Sequence, residues 1–222
     1  MISVTTNYLD AIAHLPVGGT LSFENVPWEE YEELLDNLGA GYRVRITYDH
    51  GRLEIMSPLP IHERQKECFS RMAHILTEEL GLDLESLGST TYKQEEAQHG
   101  LEPDTCFYIQ NAARTIGKRV FDLDVDPAPD IAVEIDITSE SIGRFHIYAA
   151  LGVPEIWRYD EKRVEIYQLN DTAYVPAPHS PSFPFLTGEV LLRFLQQSLA
   201  EGQSAALRAF REWVRASKPP AA

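Results

Sequence analysis

Polar and apolar positions fall into runs whose period changes along the chain. Behind Pro27, Trp28, Tyr31, Leu35 and Leu38 recur at helical spacing, with Glu29 and Glu30 in the first turn and Gly39 as a stop. This predicts a short amphipathic helix with a solvated acidic face. From Tyr42 the period drops to two. Val44, Ile46 and Tyr48 alternate with Arg43, Arg45 and Thr47, and the alternation resumes at Leu53 and Ile55 after Asp49-His50-Gly51. That is a β-hairpin with turn chemistry at its tip. Residues 61–80 then place Cys68, Phe69, Met72, Ile75, Leu76 and Leu80 on one helical face, closed by Gly81.

Four further strand-like runs follow, over 84–92, 103–109 and 131–137 and in a hairpin of 155–159 with 164–169. A helix over 139–151 is expected, with Ser139 as N-cap and Gly152 and Pro154 as stop signals. Residues 173–185 carry four prolines and read as a loop leading to a helical region over about 188–214. Strands cluster centrally and helices flank them, so the fold class expected is α/β or α+β, a sheet covered by helices. The expected organisation is an acidic helical segment (1–41) packed on a central domain (42–195), then a C-terminal helix and tail (196–222).

Composition narrows the function classes. The 222 residues include 19 Lys and Arg against 34 Asp and Glu, a formal charge of −15, and no Lys or Arg precedes Arg43. The basic footprint of a general nucleic-acid binder is missing, so any nucleic-acid role rests on a local site and on cations, with weak or partner-assisted binding. Cys68 and Cys106 are too few for a disulfide framework and sit in apolar stretches, as buried thiols do. The N-terminus lacks a basic leader and no apolar run approaches the ~18 residues of a membrane span, so a cytoplasmic protein without membrane association is expected.

The candidate chemistry lies in two strands, Glu102-Pro103-Asp104-Thr105-Cys106-Phe107-Tyr108 and Pro129-Asp130-Ile131-Ala132-Val133-Glu134-Ile135-Asp136-Ile137-Thr138. In the second, Ala132, Glu134 and Asp136 share one face and Ile131, Val133, Ile135 and Ile137 the other. Acids inside so apolar a run call for a partner or a metal. If the strands pair antiparallel, Asp104 falls near Glu134 or Asp136. Asp130 falls at the far end and opens the strand. Carboxylates converging at one point suit Mg²⁺ or Mn²⁺ and phosphodiester hydrolysis. The same spacing is also met by ion pairs with Arg144 or Lys93, or by acids on a solvent-facing sheet. Glu63 and Glu67 offer outer carboxylates or simply a wet helix face. The histidines, among them His62, His74 and His146, show no zinc-ligand spacing. Trp157 and Tyr159 read as core before base-stacking residues.

The order Met56-Ser57-Pro58, His62, Glu102-Pro103-Asp104, Pro129 to Glu134, Ser139 and Tyr148-Ala149-Ala150-Leu151-Gly152-Val153-Pro154-Glu155-Ile156-Trp157-Arg158-Tyr159-Asp160 resembles the Uma-two family over about residues 25–195. This is a group of restriction-endonuclease-like proteins of the PD-(D/E)XK nuclease superfamily. The resemblance implies a central mixed sheet flanked by helices and a Mg²⁺-dependent endonuclease acting on DNA. It places the first motif acid at Asp104 and the second at Glu134. The motif lysine position is Asp136, and the lysine that such relatives carry on the following helix is matched by Arg144. His62 opens its helix as in the family, as a cap or fold residue or as a neighbour of the site. The site expected is therefore Asp104, Glu134 and Asp136 around a metal, with Arg144 on the phosphate, and with Lys93 as a second candidate for the missing ammonium. Guanidinium stays protonated, so Arg144 can stabilise charge but not take a proton. The altered lysine site also fits a catalytically inactive nuclease fold acting as a binding or regulatory module. A homodimer is plausible for a nuclease of duplex DNA.

Overall fold

In the computed structural model, residues 4–38, 44–119, 121–137 and 141–219 are described. The elements run α1 (Val4–Ala13), β1 (Thr20–Phe23), α2 (Trp28–Asn37), β2 (Arg45–Asp49), β3 (Arg52–Met56), α3 (Pro60–Leu80), β4 (Glu85–Ser86), β5 (Tyr92–Gln94), β6 (His99–Leu101), β7 (Thr105–Tyr108), α4 (Ala112–Thr115) and β8 (Ile131–Ile135). A 3₁₀ turn (Ile142–Arg144) then leads into α5 (Phe145–Ala150), β9 (Glu155–Tyr159), β10 (Val164–Asn170), β11 (Ala173–Ala177), α6 (Gly188–Glu201) and α7 (Gln203–Ser217). The result is an α+β fold whose strands form two sheets, where the sequence pattern suggested one. An antiparallel sheet has the order β1-β3-β2-β6-β5, and a mixed one the order β11-β10-β9-β8-β7-β4 with β8 and β9 parallel.

The hairpin forms as its pattern requires. His50 and Gly51 take φ values of 45° and 88°, the left-handed pair of a two-residue turn that matches strand twist. Ile46, Tyr48, Leu53 and Ile55 are buried under α1 and α2 together with Trp28, Tyr31 and Leu34. The opposite, polar face of this sheet carries Arg45, Thr47, Asp49 and Glu54, and it looks toward α5.

The mixed sheet is covered on both faces. Phe107, Ile131, Val133, Ile135, Trp157 and Tyr159 pack against α3, α6 and α7, and Trp157 and Tyr159 are core residues. Cys106, Tyr108, Ala132 and Ile156 pack on the other side with Ile147, Tyr148 and Leu151 of the α5 region. Both cysteines are free and buried.

Several expectations change. The run 84–92 divides around Gly88 (φ 60°) between the two sheets, because left-handed backbone interrupts a ladder. The proline-rich segment 173–185 contains β11, an edge strand on β10, where Pro176 needs no outward N–H partner. The C-terminal helical region is two helices, parted at Gly202 (φ 90°), and α6 runs across residue 195. Among the described residues ahead of α5, the 3₁₀ turn is the helical part, and the proposed cap Ser139 lies outside the described residues, as do Gly39, Tyr42, Arg43 and Thr138.

Asp130 is a structural acid. Its carboxylate accepts from Ile109 N (2.6 Å), Asn111 N (3.1 Å) and Asn111 Nδ2 (2.7 Å), which ties the end of β7 to the start of β8. Asp130→Ala leaves buried donors unpaired, and a loss of about 2–4 kcal/mol in urea unfolding is expected. An unchanged midpoint would contradict this role.

Candidate active site

Antiparallel pairing of β7 with β8 brings the two motif acids together. Thr105 lies opposite Val133, so Asp104 and Glu134, one step further along the ladder, occupy opposing positions. The parity that buries Cys106, Tyr108 and Ala132 on the α5 side puts both acids on that same side. Asp104 Oδ2 accepts the backbone N–H of Ile135 at 2.8 Å, so Asp104 is fixed to the strand that carries Glu134. Asp104 is 4% exposed and Glu134 3%.

Each acid meets an arginine from a different element. Arg45 Nε, on the polar face of β2, approaches Asp104 Oδ1 to 3.7 Å, while its Nη2 donates to Glu63 at 3.2 Å. Arg144, in the 3₁₀ turn, donates through Nη2 to Glu134 Oε2 at 2.8 Å, and its Nη1 lies 3.9 Å from Glu54. Tyr148, one turn into α5, donates its hydroxyl to Glu134 Oε1. Asp136 lies just past β8, where its N–H still reaches Tyr159 O at 2.8 Å. Its Oδ2 takes Arg158 Nε at 2.6 Å, Ser141 N at 2.9 Å and Ser141 Oγ at 3.1 Å.

Burial dominates the electrostatics. It raises the Asp104 pKa against the pull of Arg45. It pushes Glu134 up to about 7, with Arg144 opposing and the charge of Asp104 adding to the rise. Glu134 in turn raises the already high pKa of Arg144, so the guanidinium is a fixed positive charge. Burial lowers the pKa of His62, which lies within the fields of Asp104, Arg45, Glu63 and Asp136.

His62 is 1% exposed and neither ring nitrogen has a hydrogen-bond partner among the described residues; the same holds for Gln65 Oε1 one turn later on α3, and for Arg45 Nε. The histidine is thus not a helix cap. Buried polar atoms are nearly always paired, so the orphans of His62 and Arg45, both of which act on Asp104, mark a place for a further polar species. Arg45 also lines a half-open cleft of about 880 Å³, together with Glu63, Lys66, Thr91 and Glu102; neither Asp104 nor Glu134 is on its wall.

The structure therefore brings Asp104, Glu134 and Arg144 together, with Asp136 at their margin in its own ion pair. Asp104, Glu134 and Asp136 do not converge as one tight three-ligand group. Among the described residues, the grouping whose ligand atoms lie within 4.8 Å of one another is Asp49, His50 and His99. Lys93 is turned away in the antiparallel sheet and bound to Glu32. Glu67 pairs with Arg71 on the outside of α3. Arg45, Tyr148 and Arg158 contact Asp104, Glu134 and Asp136 in ways that spacing did not disclose, although Arg45 on the polar face of a half-buried hairpin was the available signal.

Three comparisons bear on this geometry. No curated protein matches the sequence. A solved structure described as a "putative nuclease belonging to DUF820 from Anabaena variabilis ATCC 29413" superposes with a TM-score of 0.51 at 18% identity, covering 73% of this chain and 97% of that one. At that identity the likeness shows a shared fold. Residues 28–200 match the Uma2 family, described as "Putative restriction endonuclease", and this span takes in the mixed sheet, the antiparallel sheet apart from β1, the paired acids and Arg144. The chain belongs to the Uma2 restriction-endonuclease family.

Proposed function

We propose that the protein is a divalent-metal-dependent endonuclease that hydrolyses phosphodiester bonds of DNA at Asp104 and Glu134. The observation that carries this reading is the opposition of two buried acids across β7 and β8, beside the orphaned polar atoms of His62 and Arg45. The donor set fits Mg²⁺ or Mn²⁺. It consists of carboxylate oxygens, and among the described residues Asp104 Oδ1 meets no hydrogen-bond donor, with Arg45 Nε at 3.7 Å. A divalent cation also offsets the repulsion that helps raise the Glu134 pKa. When bound, such an ion supplies Lewis acidity toward a phosphate oxygen and a means of activating water.

The chain's own groups have distinct parts. Asp104 and Glu134 hold the cation, with Asp104 oriented by the Ile135 N–H and Glu134 by Tyr148. Arg144 is permanently charged and serves to steady negative charge on the phosphate, not to accept a proton. Asp136 is engaged by Arg158 and Ser141, so it steadies the backbone between β8 and the 3₁₀ turn and stands at most as an outer ligand. Arg45 and Lys66 on the cleft wall are both paired with Glu63, so with a chain charge of −15 a polyanion must approach through cations and through Arg144.

One observation favours the second reading, an inactive nuclease fold that binds or regulates. Asp104, Glu134 and Asp136 already face Arg45, Arg144 and Arg158, so their charges are matched without an ion. The two readings part on chemistry. Under the first, plasmid DNA is cleaved only with Mg²⁺ or Mn²⁺, and Asp104→Asn or Glu134→Gln lowers the rate by at least about a hundredfold while leaving the fold intact. Cleavage by the double variant at the wild-type rate excludes the site assignment. Absence of both cleavage and Mg²⁺ or Mn²⁺ binding in the wild-type protein selects the second reading.

The raised pKa of Glu134 sets a pH dependence. A carboxylate must lose its proton to bind a cation, so affinity for Mn²⁺ should climb about tenfold per pH unit as pH rises toward 7, then level off. Calorimetric titration between about pH 5.5 and 8 measures this. A flat affinity over that range would show that Glu134 is not a ligand.

A further inference from the structure

Asp49 and His50 come from the end of β2 and the β2–β3 turn, His99 from the start of β6 and His146 from α5, and they meet at one end of the β2–β6 ladder. Asp49 and His99 are direct cross-strand partners in β2 and β6, and the next residue's N–H, that of His50, donates to Gln98 O at 3.0 Å. The left-handed backbone at His50 turns its ring onto that of His99, with centroids 4.6 Å apart. His99 Nδ1 lies 3.2 Å from Asp49 Oδ1, and one ligand atom from each of Asp49, His50 and His99 falls within 4.8 Å of the others. His146 Nε2 lies 2.9 Å from the second oxygen, Asp49 Oδ2.

These residues differ from the acid pair in two respects. Two of the three ligand atoms are imidazole nitrogens, which suit Zn²⁺ and its borderline neighbours and not Mg²⁺. Donors about 2.1 Å from a tetrahedral ion sit about 3.4 Å apart, close to the Asp49–His99 spacing already present. His99 is also 6% exposed, and its Nδ1, aimed at Asp49, has no hydrogen-bond partner among the described residues. A buried ring nitrogen left unpaired is costly unless something else occupies its lone pair. Burial lowers the His99 pKa and so favours the neutral ring that a metal requires.

We propose that Asp49, His50 and His99 form a Zn²⁺-class transition-metal site, with solvent at the fourth corner and His146 holding the free oxygen of Asp49. The site is separate from Asp104 and Glu134. A cavity of about 200 Å³ lined by Asp49, Glu54, Arg144 and His146 lies between the two. A bound ion pins the hairpin turn to β6, and through Asp49 and His146 it reaches α5, the helix that supplies Tyr148 to Glu134.

The test uses the full chain, stripped with a chelator and titrated with Co²⁺ by visible absorption and with Zn²⁺ by calorimetry, with Mg²⁺ in excess. One ion per chain and the intense visible bands of four-coordinate Co²⁺ are expected. His50→Asn keeps a residue that tolerates the left-handed turn, so the fold survives while binding and bands are lost. His146→Ala, at an exposed position, weakens binding by roughly tenfold or more as an outer partner does. The double variant Asp104→Asn, Glu134→Gln binds as the wild type does. The proposal is overturned if wild-type Zn²⁺ affinity is no greater than that of His50→Asn, or if the Asp104 and Glu134 double variant abolishes it.

Discussion

Holding two carboxylates face to face inside a sheet is the constraint around which this molecule is organised. Asp104 and Glu134 are nearly inaccessible, on neighbouring strands, and alike in charge. Burial of that kind is unfavourable unless compensating groups are brought close. The chain supplies them from several directions: the Ile135 amide and Arg45 toward Asp104, and Arg144 and Tyr148 toward Glu134. Removing one member of such an arrangement leaves another buried charge exposed to the low dielectric, so the set acts as a unit.

The two sheets divide the labour. The mixed sheet, sandwiched between α3, α6 and α7 on one face and α5 on the other, fixes the acids in a rigid ladder. The antiparallel sheet buries its apolar face under α1 and α2 and turns a charged face toward α5. From that face Arg45 reaches Asp104, Glu54 reaches Arg144 and Asp49 reaches His146. The N-terminal helices thus do more than cover a domain: they make one side of the antiparallel sheet apolar enough to be buried, leaving the other to face the site.

Much of this was legible in the residue pattern. The alternation over 131–137 separated Glu134 from the apolar face correctly, the antiparallel pairing with 103–109 placed Asp104 beside it, and the same pairing put Asp130 at the far end. The turn residues His50-Gly51 announced the hairpin. Periodicity could not show that strands of two or three residues, β4, β5 and β6, split between sheets, since so short a run has no period. Nor could spacing find the Asp49, His50 and His99 cluster, because His99 lies 49 residues beyond His50 and is brought to it by the β2–β6 ladder. The involvement of Arg45 and Arg158 was hidden for the same reason: a charged side chain on a strand declares its face but not the partner across it.

The proposed hydrolysis requires a divalent ion shared by Asp104 and Glu134. Anomalous diffraction from a crystal soaked in Mn²⁺ tests it directly. The expected result is a peak about 2.1–2.2 Å from a carboxylate oxygen of each residue, with Glu134 still held by Tyr148. An intact Glu134–Arg144 pair with no density between the two acids, at saturating Mn²⁺, would contradict it.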